Sequence, residues 1–253
     1  MTRLPCLAVI VDFDRTLLRT DKSISAYTVR VLQSWQEAGA RLFAATARPE
    51  RAIGEYRRQV TFDAVCTLNG ARTITKDSVI ENPIAEASAL AVLKQFSGIP
   101  DIVLSVEAEN GIYANMDIPP WAPKVTDRLR DLPRKEKIYK ILASHPELPA
   151  EQLAVNLPDD TYFSVAESKL LQVMSCSATK WNGVRNMLDA FGIDSARAVF
   201  FGDDNDDVEP IRRCGCGVAV RNALGNVLEA ADEVTESNDE DGVARFLDRL
   251  MHM

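Results

Sequence analysis

Four short apolar runs, each followed by polar or charged residues, organise this sequence. They are Ala8–Val11 before Asp12, residues 42–45 before Thr46, residues 169–174 before Lys180, and residues 198–201 before an acidic stretch that runs from Asp203 to Asp207. Runs of this length that end at turn residues are typical of buried parallel strands. Because open α/β sheets bind ligands at the carboxyl ends of their strands, we expect the carboxylates, the hydroxyl and the ammonium group to lie at one edge of one sheet.

Helical spacing of apolar residues fills the segments between the first strands. The pattern predicts a helix over residues 25–38 that stops at Gly39, and a second helix from Pro49 to about residue 58. A third strand over residues 64–68 ends at the turn Asn69-Gly70. This alternation of strand and helix predicts a parallel α/β layer.

The pattern changes between Asn82 and Glu167 and then returns. The middle segment predicts two helices, at residues 85–96 and 150–156, and four strands, at residues 102–106, 112–115, 138–143 and 162–165. A proline-rich corner lies at residues 119–123. The first two strands flank a turn at Asn110-Gly111, which predicts a hairpin. After this segment the α/β alternation resumes, with helices near 181–191, 208–213 and 243–251 and strands at 198–201 and 218–220. We therefore predict an α/β core built from residues 1–81 and 170–253, and an inserted α+β cap over residues 82–169.

Composition excludes several classes of function. The formal net charge of -8 argues against a nucleic-acid binder, and no apolar stretch reaches the roughly 20 residues of a membrane span. The five cysteines form no paired framework and complete no four-ligand metal site, which predicts reduced thiols in a cytoplasmic protein. The two histidines, His145 and His252, lie near no nucleophile motif, so histidine-based triads are excluded. The glycine patterns of dinucleotide-binding and P-loop folds are also absent.

The carboxylates at the strand ends suit phosphate-ester hydrolysis. That reaction needs a nucleophile, a proton donor for the leaving oxygen and positive charge on the transferring group. Asp12 and Asp14 supply the first two, and Lys180 and the hydroxyl of Thr46 bind phosphate oxygens. Asp203 and Asp207 complete an oxygen-ligand site with Asp12 that suits Mg²⁺.

Each element also has a simpler interpretation when taken alone. The two aspartates of the first motif match a solvated turn, Thr46 a helix cap, and Lys180 a surface lysine. A calcium loop is excluded for the acidic stretch, because Val208 and Cys214 stand where that loop needs Gly and Glu. The order of all four elements at strand ends favours the phosphoryl-transfer interpretation.

The four motifs, in this order, resemble those of the haloacid dehalogenase (HAD) superfamily of phosphohydrolases. The insertion between the second and third motifs resembles the class II, subclass B cap of the Cof-type branch. Further segments also match the usual sequence of that branch, so the resemblance covers nearly the whole chain. They are residues 68–71, 191–193, 220–223 and 235–243. It implies a HAD-like Rossmannoid core with a parallel sheet, and an α+β cap that closes over the site and selects the leaving group.

The resemblance also implies roles for individual residues. Asp12 would be the nucleophile that forms an aspartyl-phosphate, and Asp14 the general acid/base. Mg²⁺ would be held by Asp12, the backbone carbonyl of Asp14 and Asp203, with Asp207 close by or acting through water. The phosphate-binding residues would be Thr46, Ala47, Arg48, Lys180 and Asn222.

Several positions depart from the family pattern. Glycines of the family are replaced by Arg15, Ala47, Trp181 and Arg221. Asp206 takes the place of an asparagine, which removes an amide donor and adds a negative charge near the substrate. None of these changes removes the nucleophile, the acid/base, the hydroxyl, the lysine or the main metal ligand. We therefore expect an active enzyme with altered loop geometry around the site.

The expected function is Mg²⁺-dependent hydrolysis of small phosphorylated metabolites, sugar phosphates being the expected class, with no nucleic-acid or membrane partner. A sugar phosphomutase or phosphotransferase stays open, because the same covalent intermediate can pass its phosphate to a sugar. A catalytically idle regulator that binds phosphometabolites also stays open, on account of Arg15 and Asp206. Candidate substrate contacts in the cap are Tyr113, Asn115, Asp117 and Trp121, with packing inside the cap as the competing interpretation for Tyr113 and Trp121.

Overall fold

The chain folds into two compact units. The computed structural model describes residues 6–119, 121–153, 156–166 and 169–252. One unit, called the core here, combines Met1–Glu81 with Thr179–Met253; the other, called the cap, is Asn82–Ala178. The change from core to cap therefore falls at residue 82, as expected from the sequence, whereas the return to the core falls nine residues later than the expected position 170.

From residue 6 to residue 81, the first part of the core contains five strands and two α-helices. They are β1 (Ala8–Val11), α1 (Ala26–Glu37), β2 (Arg41–Ala45), α2 (Gly54–Gln59), β3 (Ala64–Thr67), β4 (Arg72–Thr75) and β5 (Val79–Glu81). The hydroxyl of Ser25 caps α1 by accepting from the Thr28 N–H, and Gly39 ends that segment with a φ of 101°. The helix predicted from Pro49 is instead a 3₁₀ turn at Glu50–Ala52 followed by α2, because the buried Ile53 leaves helical geometry between them.

The described residues of the cap form one α-helix and six strands. They are α3 (Glu86–Phe96), β6 (Val103–Ala108), β7 (Gly111–Ala114), β8 (Lys124–Val125), β9 (Ile138–Ser144), β10 (Thr161–Ala166) and β11 (Leu170–Ser175). The sheet order is β10-β11-β9-β6-β7-β8, and β6 and β7 form the predicted antiparallel hairpin. The helix predicted over residues 150–156 is a 3₁₀ helix at Ala150–Leu153, and its residues 154–155 lie outside the described residues, as does Pro120 of the proline-rich corner.

One predicted strand belongs to the other unit. We expected the run at residues 169–174 to be a buried parallel strand of the core sheet, and this expectation is wrong. The run forms β11, which pairs antiparallel with β9 and β10 in the cap sheet. Its Leu171 and Val173 side chains pack in the cap's apolar cluster, and this burial explains the later return to the core.

The remainder of the core completes an eight-stranded sheet. Its elements are α4 (Lys180–Ala190), β12 (Ala198–Gly202), α5 (Val208–Arg213), β13 (Cys216–Val220), α6 (Gly225–Ala230), β14 (Glu233–Thr235) and α7 (Gly242–Met251). The sheet order is β14-β13-β12-β1-β2-β3-β4-β5. All neighbouring pairs are parallel except those that involve β4 and β5, a hairpin that the sequence analysis missed. Strand β1 lies between β2 and β12, so three of the four motifs follow adjacent strands.

Alternating side chains of β1 pack on opposite faces of this sheet. Val9 and Val11 belong to an apolar cluster with Trp35 of α1 and Leu247 of α7. Ala8 and Ile10 belong to a second cluster with side chains of α4 and α5. Because strand side chains alternate with a period of two, a run that is apolar throughout is buried on both faces. The core is therefore a three-layer α/β/α unit, and its strand ends are held in place by two apolar layers.

Candidate active site

Asp12 lies at the carboxyl end of the central strand β1. Its N–H donates to the carbonyl of Phe201 at 3.0 Å, which continues the pairing with β12 by one residue. Its side chain is 7% exposed, and Oδ1 accepts a hydrogen bond from Lys180 Nζ at 3.0 Å. The backbone geometry of two adjacent strands therefore fixes this carboxylate at the predicted edge of the sheet.

The loop after β12 is organised around the fully buried carboxylate of Asp207. Oδ2 accepts from the backbone N–H groups of Asp203 and Asp204 at 3.0 and 3.1 Å, and Oδ1 accepts from Lys180 Nζ at 2.5 Å. Gly202 is required here because a Cβ at this position would overlap the Asp207 side chain. Asp203 then turns its carboxylate toward Thr16, whose hydroxyl donates to Oδ1 at 2.8 Å.

Three carboxylates come together at this edge, those of Asp12, Asp203 and Asp207. One oxygen of each lies within 4.8 Å of the others, and all three residues are buried. Burial raises the pKa of Asp12 well above its ordinary value, an effect that Lys180 opposes and the neighbouring carboxylates reinforce. Burial and the neighbouring Asp207 likewise raise the pKa of Asp203 to about 7. A buried set of oxygen donors with excess negative charge fits a hard divalent cation such as Mg²⁺.

Lys180 is the ammonium group of this cluster. It is the first residue of α4, whose N-terminus is capped by the Thr179 hydroxyl. The lysine side chain is only 3% exposed and bridges Asp12 and Asp207. Burial works against its charged form, but the carboxylates of Asp12 and Asp207 outweigh burial and raise the pKa of Lys180 well above its ordinary value. The lysine therefore stays protonated at neutral pH. The alternative interpretation of Lys180 as a surface lysine is wrong.

Asp14 occupies a different environment from Asp12, although only one residue separates them. Its side chain is 39% exposed and receives a two-pronged ion pair from Arg48, with distances of 2.6 Å from Nε and 2.7 Å from Nη2. Lys22 Nζ donates to Oδ1 at 2.8 Å. Partial burial alone would raise the pKa of Asp14, but Arg48 and Lys22 outweigh it and lower that pKa to about 2. Asp14 is therefore a carboxylate held by two cations.

Thr46 lies at the carboxyl end of β2 and is buried. Its N–H donates to the Cys66 carbonyl at 2.9 Å, its carbonyl accepts from the Asn69 N–H at 3.1 Å, and its hydroxyl accepts from the Arg48 N–H at 3.2 Å. These bonds fold residues 46–48 into a tight turn. The turn places Ala47 between the threonine and Arg48, whose guanidinium stacks over the ring of Tyr56. The second motif is thus connected to Asp14 through Arg48.

Asn222 is bonded at both ends of its side chain. Nδ2 donates to the carbonyl of Arg15 at 2.8 Å, and Oδ1 accepts from the Asn238 N–H at 2.9 Å. The Arg15 guanidinium in turn donates to the Asn222 carbonyl at 3.2 Å and lies 3.9 Å from Asp203 Oδ2. Phosphate binding by this amide would use its second N–H, since the first donates to the Arg15 carbonyl.

Sequence reasoning missed the roles of Thr16, Lys22 and Asn69. Thr16 and Lys22 contact Asp203 and Asp14 respectively. Asn69, in a left-handed backbone conformation with a φ of 52°, donates from Nδ2 to Asp206 at 2.5 Å. Asn69 lies in the segment 68–71, which resembles the Cof-type sequence pattern. That resemblance was the one sequence feature that could have pointed to a role for Asn69. No pattern in the sequence points to Lys22.

The cap residues singled out by sequence make contacts within the cap. The Asn115 side chain accepts from the Leu104 N–H and donates to the Ile102 carbonyl, so it fastens β6 to the residues after β7. Tyr113 packs against the cap's apolar cluster, with Lys124 Nζ 5.1 Å from the centre of its ring. Asp117 and Trp121 are exposed. These contacts favour the packing interpretation of Tyr113 and explain Asn115.

The sequence model of the haloacid dehalogenase-like hydrolase family matches residues 9–247. The chain belongs to this family. It is similar to the 5-amino-6-(5-phospho-D-ribitylamino)uracil phosphatase YitU of Bacillus subtilis, with 26% identity over 94% of this chain and 95% of the relative. The HAD fold and the Cof-type assignment are thus confirmed, and the chain is a phosphoric monoester hydrolase.

Solved HAD structures have the same fold over nearly all of the chain. The phosphatase BT1666 from Bacteroides thetaiotaomicron superposes with a TM-score of 0.85, at 24% identity over 98% of this chain and 96% of that one. The HAD subclass IIB sugar phosphatase BT4131 gives a TM-score of 0.83, at 21% identity over 97% of this chain and 99% of that one. These structures confirm the subclass IIB fold. Among the described residues of this HAD hydrolase, no helix has the length and apolar character needed to cross a membrane.

Proposed function

We propose that this HAD hydrolase is an Mg²⁺-dependent phosphatase of small phosphorylated metabolites, sugar phosphates in particular, with Asp12 as its nucleophile. The observation that carries the proposal is the contrast between two aspartates. Asp12 is buried against Lys180 and two further carboxylates, whereas Asp14 is partly exposed and bound by two cations. This contrast suits Asp12 to attack the phosphorus atom and Asp14 to donate and accept the proton.

The proposed metal ligands are Asp12, Asp203 and the backbone carbonyl of Asp14, with Asp207 behind them. Asp207 already binds Lys180 and two backbone N–H groups, so we assign it mainly to orienting the loop that carries Asp203. When bound, Mg²⁺ supplies positive charge to the transferring phosphoryl group and to the carboxylates around it. Lys180, Thr46 and the backbone N–H of Ala47 are the proposed phosphate contacts on the protein side, together with Arg48.

In the first proposed step, a carboxylate oxygen of Asp12 attacks the phosphorus atom. The bond between phosphorus and the ester oxygen breaks, and the departing oxygen takes a proton from Asp14, which leaves an aspartyl-phosphate and an alcohol. To carry that proton on Oδ2, Asp14 has to loosen its ion pair with Arg48, whereas Oδ1 can still accept the hydrogen bond from Lys22. A dianionic substrate competes with Asp14 for the guanidinium of Arg48, and we expect this competition to release it.

In the second proposed step, water attacks the phosphorus atom of the aspartyl-phosphate. Asp14 accepts the proton of that water, the bond from phosphorus to Asp12 breaks, and inorganic phosphate leaves. The ion pairs with Arg48 and Lys22 favour the carboxylate form of Asp14, which is the form that this step requires. The proton gained here is the one that Asp14 donates in the next cycle.

The relatives named above support a hydroxyl-rich substrate. They include a phosphatase of a ribityl phosphate and a sugar phosphatase.

The test is phosphate release from a panel of sugar phosphates, nucleotides, pyridoxal phosphate and an aryl phosphate, with Mg²⁺ or with EDTA. Asp12→Asn keeps the size of the side chain and removes its nucleophilic charge; Asp77→Asn, in the exposed turn between β4 and β5, is the matched control. We expect release that requires Mg²⁺, disappears in Asp12→Asn and persists in Asp77→Asn. Transfer of phosphate to a sugar without release would identify a phosphotransferase, and binding without either reaction would identify a regulator.

A further inference from the structure

The loop that follows Asp14, residues 15–25, is fastened to a second loop near the end of the chain, residues 236–241. Asp239 accepts from both the N–H and the hydroxyl of Thr20, at 2.8 and 2.7 Å. Asp241 accepts from the guanidinium of Arg19 at 3.2 and 2.6 Å. We call residues 15–25 the motif-one loop and residues 236–241 the C-terminal loop.

Asparagines connect the two loops at a further point. Asn238 Nδ2 donates to the carbonyl of Leu18 at 3.0 Å in a buried contact. Its N–H donates to Asn222 Oδ1, and Asn222 Nδ2 in turn donates to the carbonyl of Arg15. The backbone of the motif-one loop is therefore held at Arg15, at Leu18 and at Thr20 by groups that come from the last 32 residues of the sequence.

Three residues of this assembly have a backbone conformation that favours glycine. Arg15, Lys22 and Asp241 have φ values of 59°, 67° and 60°. Such conformations persist only where the surrounding contacts impose them, and they cluster at functional sites. Each of the three takes part in the contacts described: Arg15 through its carbonyl, Asp241 through Arg19, and Lys22 through Asp14.

A short hydrogen-bonded turn transmits this anchoring to Asp14. The Lys22 N–H donates to the Arg19 carbonyl at 2.8 Å, and the Arg19 N–H donates to the Ser23 carbonyl at 3.0 Å. The turn thus fixes the backbone from which Lys22 reaches Asp14 Oδ1 at 2.8 Å. Anchoring Arg19 and Thr20 to the C-terminal loop consequently anchors one of the two cations that hold Asp14.

We infer that Asn238, Asp239 and Asp241 are positioning residues that set the orientation of Asp14 through the motif-one loop and Lys22. The inference rests on the proposed function, in which Asp14 transfers the proton. In the proposed reaction, the C-terminal loop has no other role in catalysis. The loop acts at a distance: its side chains bind the backbone and side chains of residues 18–20, and Lys22 makes the contact with Asp14.

The test compares two esters that differ in their need for a proton. An alkyl phosphate such as a sugar phosphate needs protonation of its leaving oxygen, whereas p-nitrophenyl phosphate has a good leaving group and needs little. The kcat/KM of each ester reports the steps up to phosphoryl transfer. We expect Asp239→Ala and its partner variant Thr20→Val to lower the ratio of kcat/KM for the sugar phosphate to that for p-nitrophenyl phosphate by about tenfold, a fraction of the full effect of a general acid.

The matched control is Glu240→Gln. Glu240 neighbours Asp239 in sequence, but its side chain contacts Ser237 and Arg221 and not the motif-one loop. We expect this variant to keep the wild-type ratio. Asp239→Ala removes both bonds to Thr20, and Thr20→Val removes the hydroxyl bond from the opposite side. One of them therefore still tests the inference if the other fails to fold, and together they are expected to lower the ratio no further than Asp239→Ala alone.

Three results separate the inference from the proposed function. A ratio that stays at the wild-type value in both folded variants overturns the inference and leaves the proposed function intact. An equal fall for both esters also overturns it, since that result indicates a merely structural role for the C-terminal loop. If the wild-type protein hydrolyses neither ester, the proposed function fails, and the inference fails with it.

Discussion

Removing the buried ammonium group of Lys180 tests the electrostatic account of the site through stability alone. Lys180→Met keeps the length of the side chain and its apolar stem, but deletes the charge that contacts Asp12 at 3.0 Å and Asp207 at 2.5 Å. The variant leaves three buried carboxylates within 4.8 Å of one another and takes away the lysine that bridges two of them. Breaking a buried ion pair by removing one partner costs about 3–5 kcal/mol. We expect the lower end, about 3 kcal/mol, because the carboxylates relieve part of the repulsion by binding protons.

The assay is urea unfolding followed by far-UV circular dichroism at pH 8, in EDTA and again in Mg²⁺. Lys76→Met, a change in the exposed turn between β4 and β5, is the control and is expected to alter the free energy of unfolding by no more than about 0.5 kcal/mol. Mg²⁺ should stabilise Lys180→Met more than the wild-type protein, because a bound cation compensates the unpaired carboxylates. An Lys180→Met variant as stable as the wild-type protein in EDTA would refute the electrostatic reasoning.

Three further outcomes follow from the structure. Gly202→Ala should lower both stability and phosphate release, because the added Cβ overlaps the Asp207 side chain. Gly54→Ala should retain both in the same assays, because a Cβ at that position meets no atom within 4 Å. Ellman's reagent at pH 8 should label the exposed Cys176 quickly and the buried thiols slowly. The reason is that burial raises the pKa of Cys6, Cys66 and Cys214 to about 12. Rapid labelling of these three thiols in the folded protein would contradict the prediction. Glu236 is partly buried, yet its bonds with Arg249 lower its pKa from 4.5 to about 2, so its stabilising contribution is complete above pH 4.5 and is lost as the pH falls toward 2. Glu236→Gln should therefore lose less stability than the wild-type protein between those pH values in acid-unfolding curves, and identical curves would argue against the ion pair.

The grouping of Asp12, Thr46 and Asp203 at one edge of the core sheet was predictable because these residues adjoin the strands that position them. Asp12, Thr46 and Asp203 each follow an apolar run, and those runs form the adjacent strands β12, β1 and β2. An apolar run does not specify which sheet it joins, however. Residues 169–174 therefore suggested a core strand, although the side chains of Leu171 and Val173 are buried in the cap. The hairpin of β4 and β5 lacked a strong apolar signal, since Val79 and Ile80 are exposed and Arg72 and Thr75 are polar.

The surroundings of Asp14 were beyond prediction because they depend on contacts between distant loops. Arg48 was expected to bind phosphate, but its ion pair with Asp14, 34 positions earlier, was not expected. Lys22 and Arg15 adopt a left-handed backbone that no residue preference of lysine or arginine indicates. The bonds from Asp239 to Thr20 span 219 positions. Contacts of this kind are fixed by the tertiary fold, and the sequence pattern near either partner does not reveal them.

The central claim is that Asp12 carries the phosphoryl group during turnover. The direct measurement is an acid quench of the enzyme while it hydrolyses a good substrate, followed by mass spectrometry of its proteolytic peptides. The account predicts one added phosphoryl group on the peptide that contains Asp12 in the wild-type protein and none in Asp12→Asn. Turnover by Asp12→Asn at the wild-type rate, or a phosphoryl group on a different peptide, would contradict it.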